Sequence, residues 1–105
     1  MNANMKAMAT VETVESVGRK MMKDLREATG VEGDGYILWG VTPEELIASL
    51  ESLAKEVPAL APYLPAYRAQ IRKKRFTLMA LLLDDKTAYA SGAKVPIQVL
   101  PRAKA

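Results

Sequence analysis

The sequence predicts a mainly α-helical domain with three amphipathic helices, a Gly-rich apolar loop and an extended C-terminal arm. Three observations favour this class. Apolar residues recur at helical spacing near the N-terminus, helix-start signals surround Thr42, and a third long segment is rich in residues of high helix propensity. A chain of 105 residues is long enough for one domain. We expect a helical part over residues 1–86 and a basic arm over residues 87–105.

The first helix is predicted over residues 4–29. Gly30 is its expected end. Glu12 and Glu15 lie early in the helix, whereas Arg19, Lys20, Lys23 and Arg26 lie late, and this order complements the helix dipole. Small or apolar residues recur at alternating steps of four and three, as in a heptad seam. This seam either packs on its own domain or forms a coiled coil with another chain, so its larger residues are candidate interface residues. The seam comprises Ala7, Val11, Val14, Gly18, Met21, Leu25 and Ala28, of which Val11, Val14, Met21 and Leu25 are the candidates.

The segment over residues 30–40 contains four glycines around the short apolar run Tyr36–Trp39. This run is interpreted as a short strand or as an ordered loop that fills the core. A nucleotide-binding loop is not indicated. Gly33 and Gly35 are not followed by the third glycine of a dinucleotide fingerprint, and no Gly-Lys-Ser/Thr sequence is present.

The second helix is predicted over residues 42–57. Thr42 is the expected N-cap, Pro43 suits the first helical position, and Glu45 completes a capping box. The apolar residues that follow recur at helical spacing, and Pro58 ends the pattern. A proline-rich connector over residues 58–65 follows.

The third helix is predicted from Ala66 to about Asp85, because residues 79–83 favour helix by propensity. Residues 76–83 are apolar on every side, so we expect other elements or another subunit to bury them, and Leu78 and Leu82 are candidate interface residues. The alternative is an α+β fold with a C-terminal hairpin, in which residues 76–83 form a strand that turns at 84–87 into residues 88–90. The carboxylates of Asp84 and Asp85 oppose a helix dipole there and favour the alternative.

Charge is segregated along the chain, although the formal net charge is only +3. Residues 31–62 carry six acidic and one basic side chain, whereas residues 63–105 carry nine basic and two acidic ones. The two segments are expected to pair, within one chain or between chains. One alternative is a solvated helix face that has no partner and keeps the protein soluble. Another is binding of nucleic-acid phosphates, and an anionic membrane is the least favoured partner. The candidate nucleic-acid-binding residues are Arg68, Arg72, Lys73, Lys74 and Arg75.

Composition excludes several classes of function. The chain has no Cys and no His, which excludes disulfide scaffolds, thiolate metal sites and the commonest general base. We expect no enzyme activity, no cofactor, no metal site and no small-molecule substrate. No apolar run is long enough to span a membrane and no signal-peptide pattern is present, so a cytoplasmic location, or one within an intracellularly assembled particle, is expected. The predicted function is therefore a non-enzymatic protein–protein interaction or assembly module, self-associating or part of a larger particle. The alternative is a nucleic-acid-binding accessory protein that uses the basic third helix.

Overall fold

The computed structural model describes residues 3–85 and 87–94, with side chains described from Val14 onward. Three α-helices and three strands form along these residues, and a short 3-10 helix over Pro58–Tyr63 joins the second helix to the third. The other elements are α1 (Ala3–Thr29), β1 (Asp34–Trp39), α2 (Pro43–Glu56), α3 (Leu64–Lys74), β2 (Leu78–Leu83) and β3 (Ala88–Ala93).

The prediction of a mainly α-helical fold is wrong, because the chain has an α+β fold with a three-stranded antiparallel sheet. The predicted third helix ends at Lys74, where Arg75 adopts a left-handed conformation with φ 57°. The amide of Phe76 then donates to the carbonyl of Ile71 at 3.1 Å, as in a Schellman termination. Glycine usually occupies such a position, so the sequence shows no ordinary stop signal there. The strand of the alternative prediction is the one that forms.

The sheet has the strand order β1-β2-β3, and both pairings are antiparallel. The central strand β2 is buried at all six positions, because helices cover both of its faces. Strand β3 pairs with β2 along its whole length, so residues 88–93 belong to the sheet and not to the arm that was predicted from residue 87. The rest of that predicted arm, residues 95–105, lies outside the described residues.

The helices form two layers on opposite faces of the sheet. On one face, Val14 of α1 and Leu78 of β2 are buried against each other. On the other face, side chains of α2, α3 and the 3-10 helix surround the alternate residues Met79, Leu81 and Leu83 of β2. Of the predicted seam of α1, Val14 is thus buried within the domain and Met21 packs beside it, while Ala28 is exposed. The core on the face that α2 and α3 cover consists mainly of Leu46, Ile47, Leu50, Leu60, Ile71, Met79 and Leu81.

Local signals place α1 and α2 as predicted. Gly30 ends α1 with φ 71°, and its amide donates to the carbonyl of Arg26 at 2.8 Å. The Oγ1 atom of Thr42 accepts from the amide of Glu45 at 3.2 Å, which confirms the predicted N-cap of α2. The carboxylate of Glu45 in turn accepts from the amide of Val41 at 2.7 Å. The first bond satisfies an amide that the first turn of a helix leaves unpaired, and the second pairs the amide of the residue just before the N-cap.

Candidate protein-interaction surface

Strand β1 lies at one edge of the sheet and pairs with β2 alone among the described strands. The amide of Gly40 donates to the carbonyl of Thr77 at 2.9 Å, and this pair continues the β1–β2 register. Residues of an antiparallel strand bond alternately to one side and the other. The even-numbered residues of β1 therefore bond to β2, and the backbone groups of Gly35, Ile37 and Trp39 point outward.

Large apolar side chains accompany this outward-facing edge. Ile37 is 39% exposed, Trp39 is 43% exposed and Val41 is 37% exposed, and they recur at every second residue. One exposed apolar residue on a protein surface is ordinary, whereas a row of them marks an interaction site. We call these three side chains, together with the outward backbone of Gly35, Ile37 and Trp39, the β1 edge surface.

Helix α1 forms a wall beside this surface. Val14, Glu15 and Arg19 of α1 enclose a cleft of about 300 Å³ together with Ile37 and Trp39. Gly18 allows the close approach, because a Cβ atom there would lie 2.7 Å from Cγ2 of Ile37. Glu15 and Arg19 are exposed, so the cleft has an apolar floor and a rim with one charge of each sign.

The two ends of the β1 edge surface differ in shape and charge. At the Trp39 end, the bulky indole lines the cleft together with Glu15 and Arg19. At the other end Gly35 has no side chain, and a Cβ atom there would lie 2.8 Å from Nη2 of Arg26 and 2.9 Å from Sδ of Met22. The Nη1 atom of Arg26 donates to the carbonyl of Gly33 at 3.0 Å, which holds this cation beside the strand. The surface therefore has its bulkiest side chain near Glu15 at one end, and at the other end a glycine that is covered by Met22 and Arg26.

The interface residues predicted from sequence lie mostly inside the domain. Leu78 and Leu82 are fully buried and Val14 is 3% exposed, while Met21 and Leu25 are half-buried on α1. The side chain of Val11 lies outside those described. The strongly buried positions cannot meet a partner on the surface, because α1 and β2 cover each other.

The residues that do form the exposed apolar row were not predicted as interface residues. The signal for them was the apolar run Tyr36–Trp39 between glycines, which the sequence left open as a strand or a loop. Of this run, Tyr36 and Leu38 pack on the core that faces α2 and α3. Their neighbours Ile37 and Trp39 point to the other side, as strand alternation requires.

Two of the five residues in the predicted basic cluster form ion pairs with α2 of the same chain. Arg68 forms an ion pair with Glu51 of α2 at 3.2 Å, and Arg72 forms one with Glu44 at 3.2 Å. The hydrogen bond from the Arg72 guanidinium to Glu44, and the charge of that carboxylate, raise the pKa of Arg72. The acidic α2 thus lies beside the basic α3. The remaining three cations of the cluster, Lys73, Lys74 and Arg75, are exposed.

Three further features of the part of the chain that the structure describes bear on other kinds of site: its acidic side chains, a second cleft and the apolar length of its helices. Within residues 3–85 and 87–94, no three acidic side chains come together to hold a metal ion. A second cleft lies where Tyr63 meets Asp84 and Asp85 at the turn after β2, and its two carboxylates are exposed. None of the described helices is long and apolar enough to cross a membrane.

Comparisons with protein-family models, with curated proteins and with solved structures give no match for this chain. Function is therefore inferred from the residues of the chain itself. The feature with the clearest chemical consequence is the β1 edge surface, where exposed apolar side chains coincide with backbone groups that no other described strand pairs.

Proposed function

We propose that the chain is a non-enzymatic protein–protein interaction module, self-associating or a subunit of a larger assembly, and that it binds through the β1 edge surface. One observation carries the proposal: the row of exposed large apolar side chains lies along a strand edge whose backbone groups are unpaired among the described residues. An added strand would pair these groups and cover the apolar row in one step.

The energetics of strand addition favour this surface. Covering the exposed part of the Trp39 side chain stabilises a complex by roughly 2 kcal/mol, at about 25 cal/mol per Å² of apolar area. Each new backbone hydrogen bond adds about 1 kcal/mol at most once its loss of water is included. Proteins that avoid such contacts place lysine, proline or a bulge on the edge strand. The outward positions Gly35, Ile37 and Trp39 carry none of these.

The ion pairs between α2 and α3 also favour a protein-interaction function over the nucleic-acid alternative. Arg68 and Arg72 are engaged by Glu51 and Glu44, so phosphates would have to compete with carboxylates already in place. Binding of nucleic acid by α3 remains a prediction. A salt-dependent gel shift that weakens when Lys73 and Lys74 are replaced by Ala would support it.

Photo-cross-linking in the cells that naturally produce the protein tests the proposed function. A photoreactive phenylalanine derivative at position 39 should form a discrete cross-link to a protein chain. The same group at position 55, an exposed site on α2, is the matched control and should form none. Adding Ile37→Lys should abolish the product, because a charge would then lie in the middle of the edge. A folded protein that gives no more product from position 39 than from position 55 would overturn the proposal.

A further inference from the structure

We infer that the partner at the β1 edge surface is a second copy of this chain, with the two β1 strands paired antiparallel about Ile37 in one continuous six-stranded sheet. This inference rests on the proposed function and adds the identity, direction and register of the partner. Its grounds are the complementarity between the two ends of the surface, since a two-fold axis places each end against the other.

Backbone geometry restricts the register. Only Gly35, Ile37 and Trp39 present outward amides and carbonyls, so a symmetric antiparallel pair that uses all three must be centred on Ile37. Ile37 then faces Ile37 of the second copy, and each Gly35 faces a Trp39. Each of these three residue pairs exchanges two backbone hydrogen bonds, as in any closely bonded pair of an antiparallel ladder.

Shape supports the same register. The indole of Trp39 is the largest side chain on the edge and would lie opposite Gly35, the one outward position without a side chain. Met22 and Arg26 of α1 already lie over that glycine. A thioether and a guanidinium both form favourable contacts with an indole ring. The glycine at one end therefore places no side chain of its own opposite the tryptophan, and Met22 and Arg26, which cover the glycine, are the groups that the indole would contact.

The charges on α1 also support the register centred on Ile37. Helix α1 runs antiparallel to β1, since Val14 lies near Trp39 while Arg26 lies near Gly33 and Gly35. The two-fold axis would bring Glu15 of each copy toward Arg26 of the other. The two Arg19 side chains would approach near the axis, and each has Glu15 one helical turn away to offset their repulsion.

The other edge of the sheet matches β1 less well. The outward backbone of β3 belongs to Ala88, Ala90 and Gly92, and its side chains offer no bulky apolar group to β1. Pairing of β1 with β3 of a neighbour would also be head-to-tail, and such contacts produce open chains unless the rotation closes a ring. Pairing of β1 with β1 closes after two copies.

A disulfide test reads the register directly, because the chain contains no Cys of its own. Ile37→Cys places two thiols across the axis, where paired Cα atoms are about 5.5 Å apart and within disulfide range. Oxidised glutathione should convert most of this variant to a covalent dimer. Trp39→Cys is the matched control, since its thiols would be about 13 Å apart along the strands and should react far less. Equal yields from both variants, or none from Ile37→Cys, would overturn the register.

Sedimentation equilibrium of the purified full chain tests the partner. The unmodified chain should be dimeric at tens of micromolar and Ile37→Lys should be monomeric, while Ser52→Lys, which adds the same charge on exposed α2, should remain dimeric. An unmodified chain that stays monomeric throughout would overturn self-pairing. If position 39 still cross-links to a different protein in cells, the proposed function stands and only the partner is wrong. If no cross-link forms either, the proposed function fails too.

Discussion

The two faces of β2 give a quantitative test of how α1 is used. Leu78 and Leu81 are both fully buried, but they point to opposite faces of the same strand. Leu78 packs with Val14 of α1, whereas Leu81 packs in the core formed with α2 and α3. Leu78→Ala and Leu81→Ala therefore remove the same atoms from the two layers, and the cost of each reports how firmly its layer is covered.

We expect both variants to lose about 2 to 5 kcal/mol of unfolding free energy, the range for Leu→Ala at a fully buried site. A domain of this size has about 5 to 15 kcal/mol in total, so each change removes a large part of the stability. A loss of about 3 kcal/mol would lower the melting temperature by about 12 to 24 °C. The two losses should be equal within about a factor of two, because both side chains are completely enclosed.

Urea unfolding followed by far-UV circular dichroism measures both free energies. The slope of the unfolding free energy against urea concentration should be the same for both variants, because both expose nearly the same surface when they unfold. Protein concentration should be varied, so that any contribution from association can be separated. A loss below about 1 kcal/mol for Leu78→Ala, beside a full loss for Leu81→Ala, would show that α1 does not cover that face.

Four further changes have distinct readouts. Gly33→Ala should lose more than about 2 kcal/mol in thermal unfolding, because the new Cβ would collide with the backbone carbonyl that ends β2. Gly30→Ala, with φ 71° and open space around it, should lose only about 1 to 2 kcal/mol. Burial, and secondarily the charge of a nearby tyrosine, raise the pKa of Tyr67 to about 12, so Tyr67→Phe should reduce the stability lost at alkaline pH. Glu51→Gln should lose only about 0.2 to 1 kcal/mol, because its ion pair with Arg68 is partly exposed.

The sign of the Tyr67 effect follows from proton binding. Between the ordinary pKa of 10 and the folded pKa of about 12, the folded state holds the phenolic proton more tightly than the unfolded state does. Unfolding therefore releases a proton, and stability falls as the pH rises through this window. Chemical unfolding at pH 9, 10 and 11 should show a shallower fall in Tyr67→Phe than in the unmodified chain. Parallel curves would contradict this role for Tyr67.

Helix α2 could be predicted because its determinants are local. Thr42 caps it, Pro43 begins it, and its apolar face recurs at one period, so no distant contact was needed. The end of α1 is likewise determined locally, by Gly30 with its positive φ. These signals depend on neighbours within one or two helical turns, which the sequence displays directly.

The segment over residues 76–83 was assigned to the wrong class because its pattern fits two structures. A run that is apolar on every side suits a buried helix as well as a strand covered on both faces, and Met79–Leu83 favour helix by propensity. The outcome depends on pairing with β1, which lies two helices earlier in the chain, and on Arg75 in a left-handed conformation. Neither is visible as a local pattern. The aspartates after Leu83 were the one local sign of a turn.

The candidate site was less predictable than the fold. Alternation along Tyr36–Trp39 is too short to show which side chains face solvent. Whether Ile37 and Trp39 are exposed depends on β1 being an edge strand and on the path of α1 over the sheet. Both are properties of strand order and helix packing, which appear only after the chain has folded.

Amide hydrogen exchange along β1, measured at several protein concentrations, tests the role of this edge most directly. The amides of Tyr36 and Leu38 bond to β2 and should be protected at every concentration. We predict that the amides of Ile37 and Trp39 exchange quickly in dilute solution and become protected as the chains associate. Protection of these two amides that is already complete at the lowest concentration, or absent at the highest, would contradict an edge that binds another copy.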